Sequence, residues 1–212
     1  KTYQKNNVVS NGKELVYDDQ NKTKSGIAYN YLTIPRGGQF FIKLADGTKV
    51  WLNSESKLKF PVSFVDGQPR QVELVYGEAY FDVSPSTAHK GSHFNVLTQN
   101  QNVEVLGTEF NIKAYQDQDV PKIYTTLVEG KVHLSGSFNS TILKPGDQSV
   151  LENHSIRVAA VDVFNEVSWK EGIFSFQDMP LKDIMKVLER WYDIKTEFKN
   201  KAIENSTFNG IL

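Results

Sequence analysis

The chain has 212 residues, of which 39% are hydrophobic and 12% aromatic, so it is long enough to bury one large core or two small ones. Its 24 basic and 25 acidic residues leave a formal net charge of −1, which argues against the dense positive surface that nucleic-acid binding requires. It contains no cysteine, which excludes disulfides, thiolate catalysis and cysteine-ligated metals.

The N-terminal stretch, residues 1–30, is rich in asparagine, lysine, glutamine and serine and contains few apolar residues. This composition predicts a tether with one weak strand near residues 15–17. The pattern changes at Tyr31, where we place the start of the first folded domain.

From Tyr31 onward, short runs of alternating apolar and polar residues are each interrupted by a glycine. The stretch FFIKLADGTKVWLN, with Asp46 and Gly47 between two such runs, is typical of a β-hairpin. Five glycines share this setting, and we predict that they form structural turns or bulges between strands: Gly47, Gly77, Gly107, Gly130 and Gly146. Their unequal spacing favours a β-sandwich or an irregular β-solenoid over a propeller.

After Val163 the pattern changes again, and GIFSFQDMPLKDIMKVLERWYDIKTEFKN predicts a strand, a helix and a second strand. Pro180 suits the first turn of the helix, with Asp178 close to the capping position. The helix should end at Asp193, and the second strand should cover residues 194–198. One face of the helix is apolar, with residues at three- and four-residue steps: Leu181, Ile184, Leu188 and Trp191.

These patterns predict a mainly β chain with three parts. A tether over residues 1–30 precedes an all-β domain over residues 31–165, which is a sandwich or solenoid-like lobe. A small β-α-β domain over residues 166–212 follows, and it is predicted to be interrupted before its second half.

The stretch YGEAYFDV, residues 76–83, places Glu78 and Asp82 on one face of a strand. At about 3.3 Å per residue the two positions lie roughly 13 Å apart, whereas a retaining glycosidase needs its carboxyl groups about 5–5.5 Å apart. The position between them is Tyr80, which is not an acid. We therefore predict a core strand with a solvated face and no catalytic pair.

His89 and His93 have the spacing of a helical zinc pair, but their stretch contains a glycine and lacks the glutamate of the H-E-x-x-H motif. The sequence also contains no phosphate-binding loop and no nucleophile elbow. We predict no catalytic residue, no metal site and no cofactor.

Lys182, Lys186 and Arg190 form a basic row on the predicted helix, opposite its apolar face. Such a row is usually an ordinary solvated surface, but it could also dock an acidic partner. Both interpretations stay open from the sequence.

The strands of the predicted β-α-β unit supply a second candidate docking site. If the unit is interrupted, backbone groups beside Phe174 and Phe176, or around Thr196 in residues 194–198, have no neighbouring strand. Exposed strand edges of this kind recruit a strand from a partner.

Taken in order, several stretches of the sequence resemble the FecR-type anti-sigma regulators. They are YNYLTIPRGGQFFIKLADGTKVWLNSESKLKFP (29–61), VELVYGEAYFDV (72–83), FNVLT (94–98), VEVLGTEFNIKAY (103–115), TLVEGKVHLS (126–135), LKPGDQ (143–148) and VSWKEGIFSFQDMPLKDIMKVLERWYDI (167–194). Any one stretch is a weak match, but the ordered set covers all of the chain except the tether.

The resemblance implies the role of a receiver. In that family a cytoplasmic segment binds an extracytoplasmic-function sigma factor, one helix crosses the inner membrane, and the rest lies in the periplasm. There it contacts the N-terminal signalling domain of a TonB-dependent outer-membrane transporter. The resemblance implies that this chain is the periplasmic region of such a single-pass protein, with the sigma-binding segment outside this sequence and with neither nucleic acid nor a small-molecule substrate. Its last part resembles half of the domain shared by secretins and TonB-receptor N-termini, called STN.

Two other classes of function remain as alternatives. A carbohydrate-binding β-sandwich of a polysaccharide-utilisation system would need an exposed row of aromatic side chains, for which the candidates are Trp51, Tyr76, Tyr80 and Trp169. A glycoside hydrolase of sandwich fold would need acids from distant parts of the sequence to converge.

Overall fold

The structure is a computed structural model that describes residues 28–117, 121–136 and 139–212. It also describes the backbone of three short strands near the N-terminus, Tyr3–Lys5 (β1), Val8–Ser10 (β2) and Glu14–Tyr17 (β3). The third of these confirms the weak strand predicted near residues 15–17. The rest of residues 1–27 lies outside the described residues, so the tether stays a prediction.

Residues 29–160 form the part that we call the β lobe. Its described strands are Tyr29–Ile34 (β4), Phe40–Lys43 (β5), Lys49–Leu52 (β6), Ser56–Pro61 (β7), Arg70–Asp82 (β8), Phe94–Leu97 (β9), Gln101–Val105 (β10), Glu109–Ala114 (β11), Ile123–Glu129 (β12), Val132–Gly136 (β13), Ser140–Leu143 (β14), Asp147–Glu152 (β15) and Ser155–Ala160 (β16). Only a 3-10 helix, Ser86–His89, interrupts the strands among the described residues of this lobe. The mainly β fold is confirmed.

Two sheets share β8 and face each other. The first sheet has the order β1-β2-β3-β5-β6-β8-β11-β12-β15-β16, and the second has the order β4-β7-β8-β9-β10-β13-β14. Pairing is antiparallel except between β3 and β5 and between β8 and β9. Buried side chains of both sheets form one apolar core, in which the rings of Phe81 and Phe110 stack at 5.1 Å between centroids. The arrangement is therefore a sandwich rather than a solenoid.

Gly77 marks the point where β8 passes from one sheet to the other. Lys57 of β7 pairs with the residue before it, Tyr76, and the residues from Gly77 onward pair with β11 in the first sheet. Gly77 has a φ of 96°, and a Cβ atom there would lie 2.2 Å from the hydroxyl oxygen of Ser56. The sequence predicts two strands meeting at this glycine, whereas the structure has one strand that bends there.

The other four glycines lie between consecutive strands, as predicted. All of them have positive φ angles: Gly47 (86°), Gly107 (152°), Gly130 (93°) and Gly146 (90°). They connect β5 to β6, β10 to β11, β12 to β13, and β14 to β15. Glycine tolerates this backbone region because it has no Cβ atom.

Residues 163–212 form the part that we call the C-terminal lobe. It contains helix Val163–Val167 (α1), a 3-10 helix Ser168–Glu171, strand Ser175–Pro180 (β17), helix Leu181–Tyr192 (α2), a 3-10 helix Lys201–Ile203 and strand Thr207–Ile211 (β18). The long helix lies where the sequence predicts it, and Ile184 of its apolar face is buried. The domain boundaries proposed from the sequence stay predictions.

The second strand of this lobe differs from the prediction. Residues 194–198 form no strand, because the backbone N–H and hydroxyl of Thr196 both donate to Glu189 Oε1 at 2.7 Å and hold the segment against α2. The strand that pairs with β17 is β18, and it runs antiparallel to β17. Asp178 does not cap the helix, since it lies in a bulge of β17 at a φ of 46°, where its N–H donates to Asn209 Oδ1.

None of the helices in the described ranges is long and apolar enough to cross a membrane.

Candidate functional site

Glu78 is buried on the face of β8 that the sequence predicts to be solvated. Only 6% of its surface is exposed, and Tyr80 on the same face is 3% exposed. The prediction of a solvated face is wrong because the C-terminal lobe covers this side of the first sheet. Asp82, at the strand end, instead accepts a hydrogen bond from Lys49 Nζ at 2.9 Å. The two carboxylates therefore have separate partners.

A ring of hydrogen bonds joins Glu78 to the C-terminal lobe. Its two oxygens accept from the amides of Asn53, at 2.8 Å, and Asn111, at 3.0 Å. Trp169 Nε1 donates to Asn111 Oδ1 at 3.2 Å. Gln39 Nε2 closes the ring by donating to Asn53 Oδ1 at 3.1 Å and, more weakly, to the carbonyl of Trp169 at 3.4 Å. This ring fixes one end of the interface between the lobes.

Arg190 fixes the other end of the interface. Its guanidinium forms an ion pair with Asp117 at 2.6 Å and lies 4.0 Å from the centre of the Tyr115 ring, and its side chain is only 7% exposed. Its carbonyl accepts a hydrogen bond from Gly37 N–H at 2.7 Å. Arg190 therefore holds α2 against the β lobe.

The basic row predicted on α2 is consequently not one solvent-facing strip. Arg190 is buried against Asp117, and Lys186 lies beside the same segment, where its Nζ donates to the Asp117 carbonyl at 3.4 Å. Of the three residues, Lys182 is exposed to solvent. The sequence prediction failed here because helical periodicity separates two faces but does not tell whether a second surface covers the polar one.

Between these two contacts lies a cavity of about 380 Å³, which we call the cleft. On the β-lobe side it is lined by Asn53, Glu78, Lys113 and Tyr115. On the other side it is lined by α1, by Trp169, by the length of β17 and by Trp191 of α2. Pockets at domain interfaces with aromatic walls and a few polar groups are common binding sites.

One edge of β17 lines the cleft. Phe174 exchanges two backbone hydrogen bonds with Leu212, and Phe176 pairs with Gly210, so these residues direct their backbone groups toward β18. By alternation, Ser175 and Gln177 direct theirs away from β18. The edge beside Phe174 and Phe176 is therefore occupied by β18, and residues 173–179 also line the cleft.

The aromatic residues considered for carbohydrate binding do not form an exposed row. Tyr80 and Trp169 are buried, and Lys170 Nζ lies 5.8 Å from the Trp51 ring and 5.1 Å from the Tyr80 ring. Tyr80 also donates a hydrogen bond to Glu109, and burial raises its pKa above its ordinary value. A sugar could not stack on this face while the C-terminal lobe covers it.

The histidines have separate partners. His89 Nε2 lies 2.8 Å from Ser84 Oγ, and His93 Nδ1 lies 2.8 Å from Glu104 Oε1. Within the described part of the chain, no group of three or more acidic or histidine side chains is arranged to hold a metal ion.

Sequence reasoning missed the residues that join the lobes. Trp169 bonds to Asn111, which lies 58 residues earlier in the chain, and Arg190 bonds to Asp117, which lies 73 residues earlier. Neither these two partners nor Asn53 belongs to a recognisable motif. The available signal was the two amides, Asn53 directly after β6 and Asn111 within β11, because buried amides require hydrogen-bond partners.

Comparison with known proteins agrees with this architecture. A family model described as "FecR protein" matches residues 30–133, and one described as "FecR, C-terminal" matches residues 173–212. Two crystal structures of a candidate anti-sigma factor from Parabacteroides distasonis are similar at a TM-score of 0.77 and 27% identity, covering 86% and 87% of this chain and 84% of the relative's chain. A search of curated proteins gives no match. The two models together match more than half of the chain, in the order β lobe then C-terminal lobe, and the chain belongs to the FecR family.

Proposed function

We propose that this chain is the periplasmic receiver region of an anti-sigma regulator. The FecR family models and the similarity to the Parabacteroides distasonis protein support a regulatory role. In this role the chain relays the state of a TonB-dependent outer-membrane transporter to an extracytoplasmic-function sigma factor. The observation that carries the proposal is a strand edge, on β17, that lies inside the FecR C-terminal match and lines the cleft.

The signalling domain of the transporter docks by adding a strand to this edge. The outward backbone groups of Gln177, whose side chain is exposed, supply the hydrogen bonds, whereas Ser175 is buried and its Oγ donates to Asn165 Oδ1 of α1. The sheet of β17 and β18 has two strands among the described residues, and so small a sheet gains stability from a third strand. Lys182 and Lys186 lie on the neighbouring helix and would speed the encounter with an acidic partner.

The test measures binding kinetics between this chain and the signalling domain of the transporter encoded beside its gene. Gln177→Pro removes the outward N–H on β17 and keeps the inward ladder to β18. We expect it to weaken the complex about tenfold or more. The matched control is Ile211→Pro, which removes an outward N–H from the opposite edge of the same sheet, at a residue that is 66% exposed.

The outcomes separate the parts of the proposal. If the wild type binds the signalling domain and only Ile211→Pro binds it more weakly, the partner docks on the β18 edge. If both variants bind it as tightly as the wild type does, the partner docks on another surface. If the wild type binds no signalling domain encoded near the gene, the receiver role itself is wrong. Thr196→Pro is not an informative variant, because the N–H of Thr196 is already bound to Glu189.

We also propose that the chain hydrolyses no glycan. Both oxygens of Glu78 accept hydrogen bonds from asparagine amides, and Asp82 is bound to Lys49. Neither arrangement leaves a carboxyl group placed to protonate a leaving group. Release of reducing sugar by the wild type that disappears in Glu78→Gln would contradict this.

A further inference from the structure

The cleft contains more negative charge than its own side chains neutralise. Glu78 and Glu166 both line it, and none of the ion pairs among the described residues involves either of them. Arg190, one of the cations in the lining, is already paired with Asp117. Glu78 is 6% exposed and Glu166 is partly buried, and a carboxylate withdrawn from water without a cationic partner is energetically costly.

Lys113 does not supply the missing cationic partner directly. It lies opposite Glu78 in the ladder between β8 and β11, but its Nζ is placed 5.9 Å above the Tyr124 ring and makes no ion pair with a described residue. Burial raises the pKa of Glu166, while the charge of Lys113 and a hydrogen bond from Gln148 act in the opposite direction, and the charge of Glu78 makes the smallest contribution, which also raises the pKa. The charge of Lys113 therefore offsets part of the cost, but neither carboxylate has a cation of the cleft lining as its ion-pair partner among the described residues.

A second observation indicates a ligand in the same space. Ser168 lines the cleft and is 4% exposed, yet its Oγ has no hydrogen-bond partner among the described residues. Trp191 Nε1, which comes from α2 of the same lobe, is also buried without a partner among the described residues. Buried polar atoms are rarely left unsatisfied, so these two atoms are positioned for a group that occupies the cleft.

The walls of the cleft suit an alkyl chain that ends in a cation. The ring of Phe174 lies 5.1 Å from that of Phe176 and 5.8 Å from that of Trp191, measured between centroids, and Trp169 lies beside them. Aromatic faces attract cations and also pack against methylene groups. The volume of about 380 Å³ falls within the range of small-ligand pockets.

We propose that the cleft binds an alkylammonium group. The ammonium is neutralised by Glu78 and Glu166 and donates a hydrogen bond to Ser168 Oγ, while the alkyl chain lies along Phe174 and Trp169. The same chemistry is offered by a free diamine or polyamine and by a lysine side chain of a bound protein. This inference does not depend on the transporter and is tested without it.

The test is calorimetric titration of the chain in an amine-free phosphate buffer. The probes are cadaverine, for a free diamine, and Nα-acetyl-lysine methylamide, for a lysine side chain, with 1-pentanol as the uncharged control. We expect saturable binding of at least one amine and at least tenfold weaker binding of pentanol. The tighter of the two amines identifies the source of the group.

Two variants and one control assign the site. Glu166→Gln should weaken amine binding about tenfold, since it removes a charge and keeps a similar shape. Ser168→Ala removes the buried acceptor and should also weaken binding. The control is Glu171→Gln, an exposed carboxylate three residues beyond Ser168 that is paired with Lys170 outside the cleft, and it should bind like the wild type.

The proposal is overturned if neither amine binds saturably to the wild type, or if pentanol binds as tightly as the amines. It is also overturned if folded Glu166→Gln and Ser168→Ala both bind with wild-type affinity. Thermal melts of each variant check that it is folded before binding is compared.

Discussion

Asp117 accepts an ion-paired hydrogen bond from Arg190, 73 residues further along the chain, at 2.6 Å. The Arg190 guanidinium also stacks on the ring of Tyr115, two residues before Asp117. Together with the hydrogen bond from Trp169 to Asn111, this contact sets how the C-terminal lobe lies on the first sheet. Both contacts are polar, and the cleft separates them, so the interface depends on a few specific bonds rather than on a continuous apolar core.

Arg190→Gln should release this end of α2. The variant removes an ion pair whose arginine side chain is 7% exposed, and the loss should be about 2 kcal/mol, or a melting temperature lower by about 4–8 °C. Lys182→Gln is the matched control on the same helix, since Lys182 is exposed, and it should melt like the wild type. Thermal unfolding followed by circular dichroism measures both.

Equal melting temperatures for Arg190→Gln and the wild type would show that the ion pair does not hold the lobes together.

The burial of Arg190 also changes what a charge reversal tests. Replacing Lys182, Lys186 and Arg190 together by glutamate would bury a second carboxylate beside Asp117, so the loss of a partner could not be separated from damage to the interface.

Gly77→Ala should be far more harmful than Gly146→Ala. Both positions have a positive φ, at 96° and 90°, so both variants strain the backbone by about 1–3 kcal/mol. At Gly77, however, the new Cβ would meet the Ser56 backbone at 2.4 Å, whereas nothing lies within 4 Å at Gly146. We expect a total loss of about 3 kcal/mol or more at Gly77 and about 1 kcal/mol at Gly146.

Urea unfolding of the two variants measures this difference. Gly107→Ala and Gly130→Ala should lie between them, because the closest contacts there would be 2.9 Å in both cases. If Gly77→Ala and Gly146→Ala lose the same stability, then β8 does not require a glycine in order to pass between the sheets.

The sequence alone predicts the strands, the glycine turns and the long helix, because each depends on residues close together in the chain. Alternation identifies Ala79 and Phe81 as core residues, and both are fully buried. The same alternation cannot tell that Glu78 and Tyr80 are also covered, since the residues that cover them lie in the C-terminal lobe.

The pairing of β18 with β17 could not be predicted from the local sequence pattern, for a similar reason. The stretch TFNGI of β18 has a glycine and two polar residues, and its strand pairs with β17 across a bulge. Residues 194–198 have a stronger strand pattern, but the bonds between Thr196 and Glu189 hold them against the helix instead. A side-chain contact seven residues away decides this segment, and alternation does not report it.

Arg70→Met should destabilise the β lobe severely. Arg70 and Asp46 form an ion pair at 2.7 Å in which both side chains are 2% exposed, and Arg70 also donates to the carbonyls of Ser84 and Ser92. Removing one partner of a buried pair leaves an uncompensated charge and costs about 3–5 kcal/mol. Arg157→Met, at an arginine that is 72% exposed in its own ion pair, should cost at most about 1 kcal/mol.

Urea unfolding of Arg70→Met, Asp46→Asn and the double variant measures the coupling between the two residues. The double variant should lose less stability than the sum of the two single variants, because it leaves no buried charge. Additive losses would mean that the two charges act independently, and the pair would then not be the reason for the stability of this end of the lobe.

Glu166→Gln should stabilise the chain at neutral pH and have no such effect in acid. Burial raises the folded-state pKa of Glu166 above its ordinary value of 4.5, against the opposing effects of Lys113 and Gln148, and the charge of Glu78 adds a smaller upward contribution. The folded chain therefore holds this proton more tightly than the unfolded chain does. As the pH rises from below 4.5 through the raised folded-state pKa, the stability supplied by the protonated carboxyl is lost. Glutamine cannot ionise, so the variant keeps its stability through that window.

The measurement is the melting temperature of the wild type and Glu166→Gln at about pH 4 and about pH 7, in an amine-free buffer so that no cation occupies the cleft. The melting temperatures of the two proteins should differ more at the higher pH, where the variant should have the higher melting temperature. Glu171→Gln is the control, because Glu171 is exposed and lies outside the cleft, and it should show no such divergence. Equal melting temperatures of the wild type and Glu166→Gln at both pH values would mean that the ionised Glu166 carboxylate is adequately solvated or paired. The charge imbalance of the cleft would then be absent in solution.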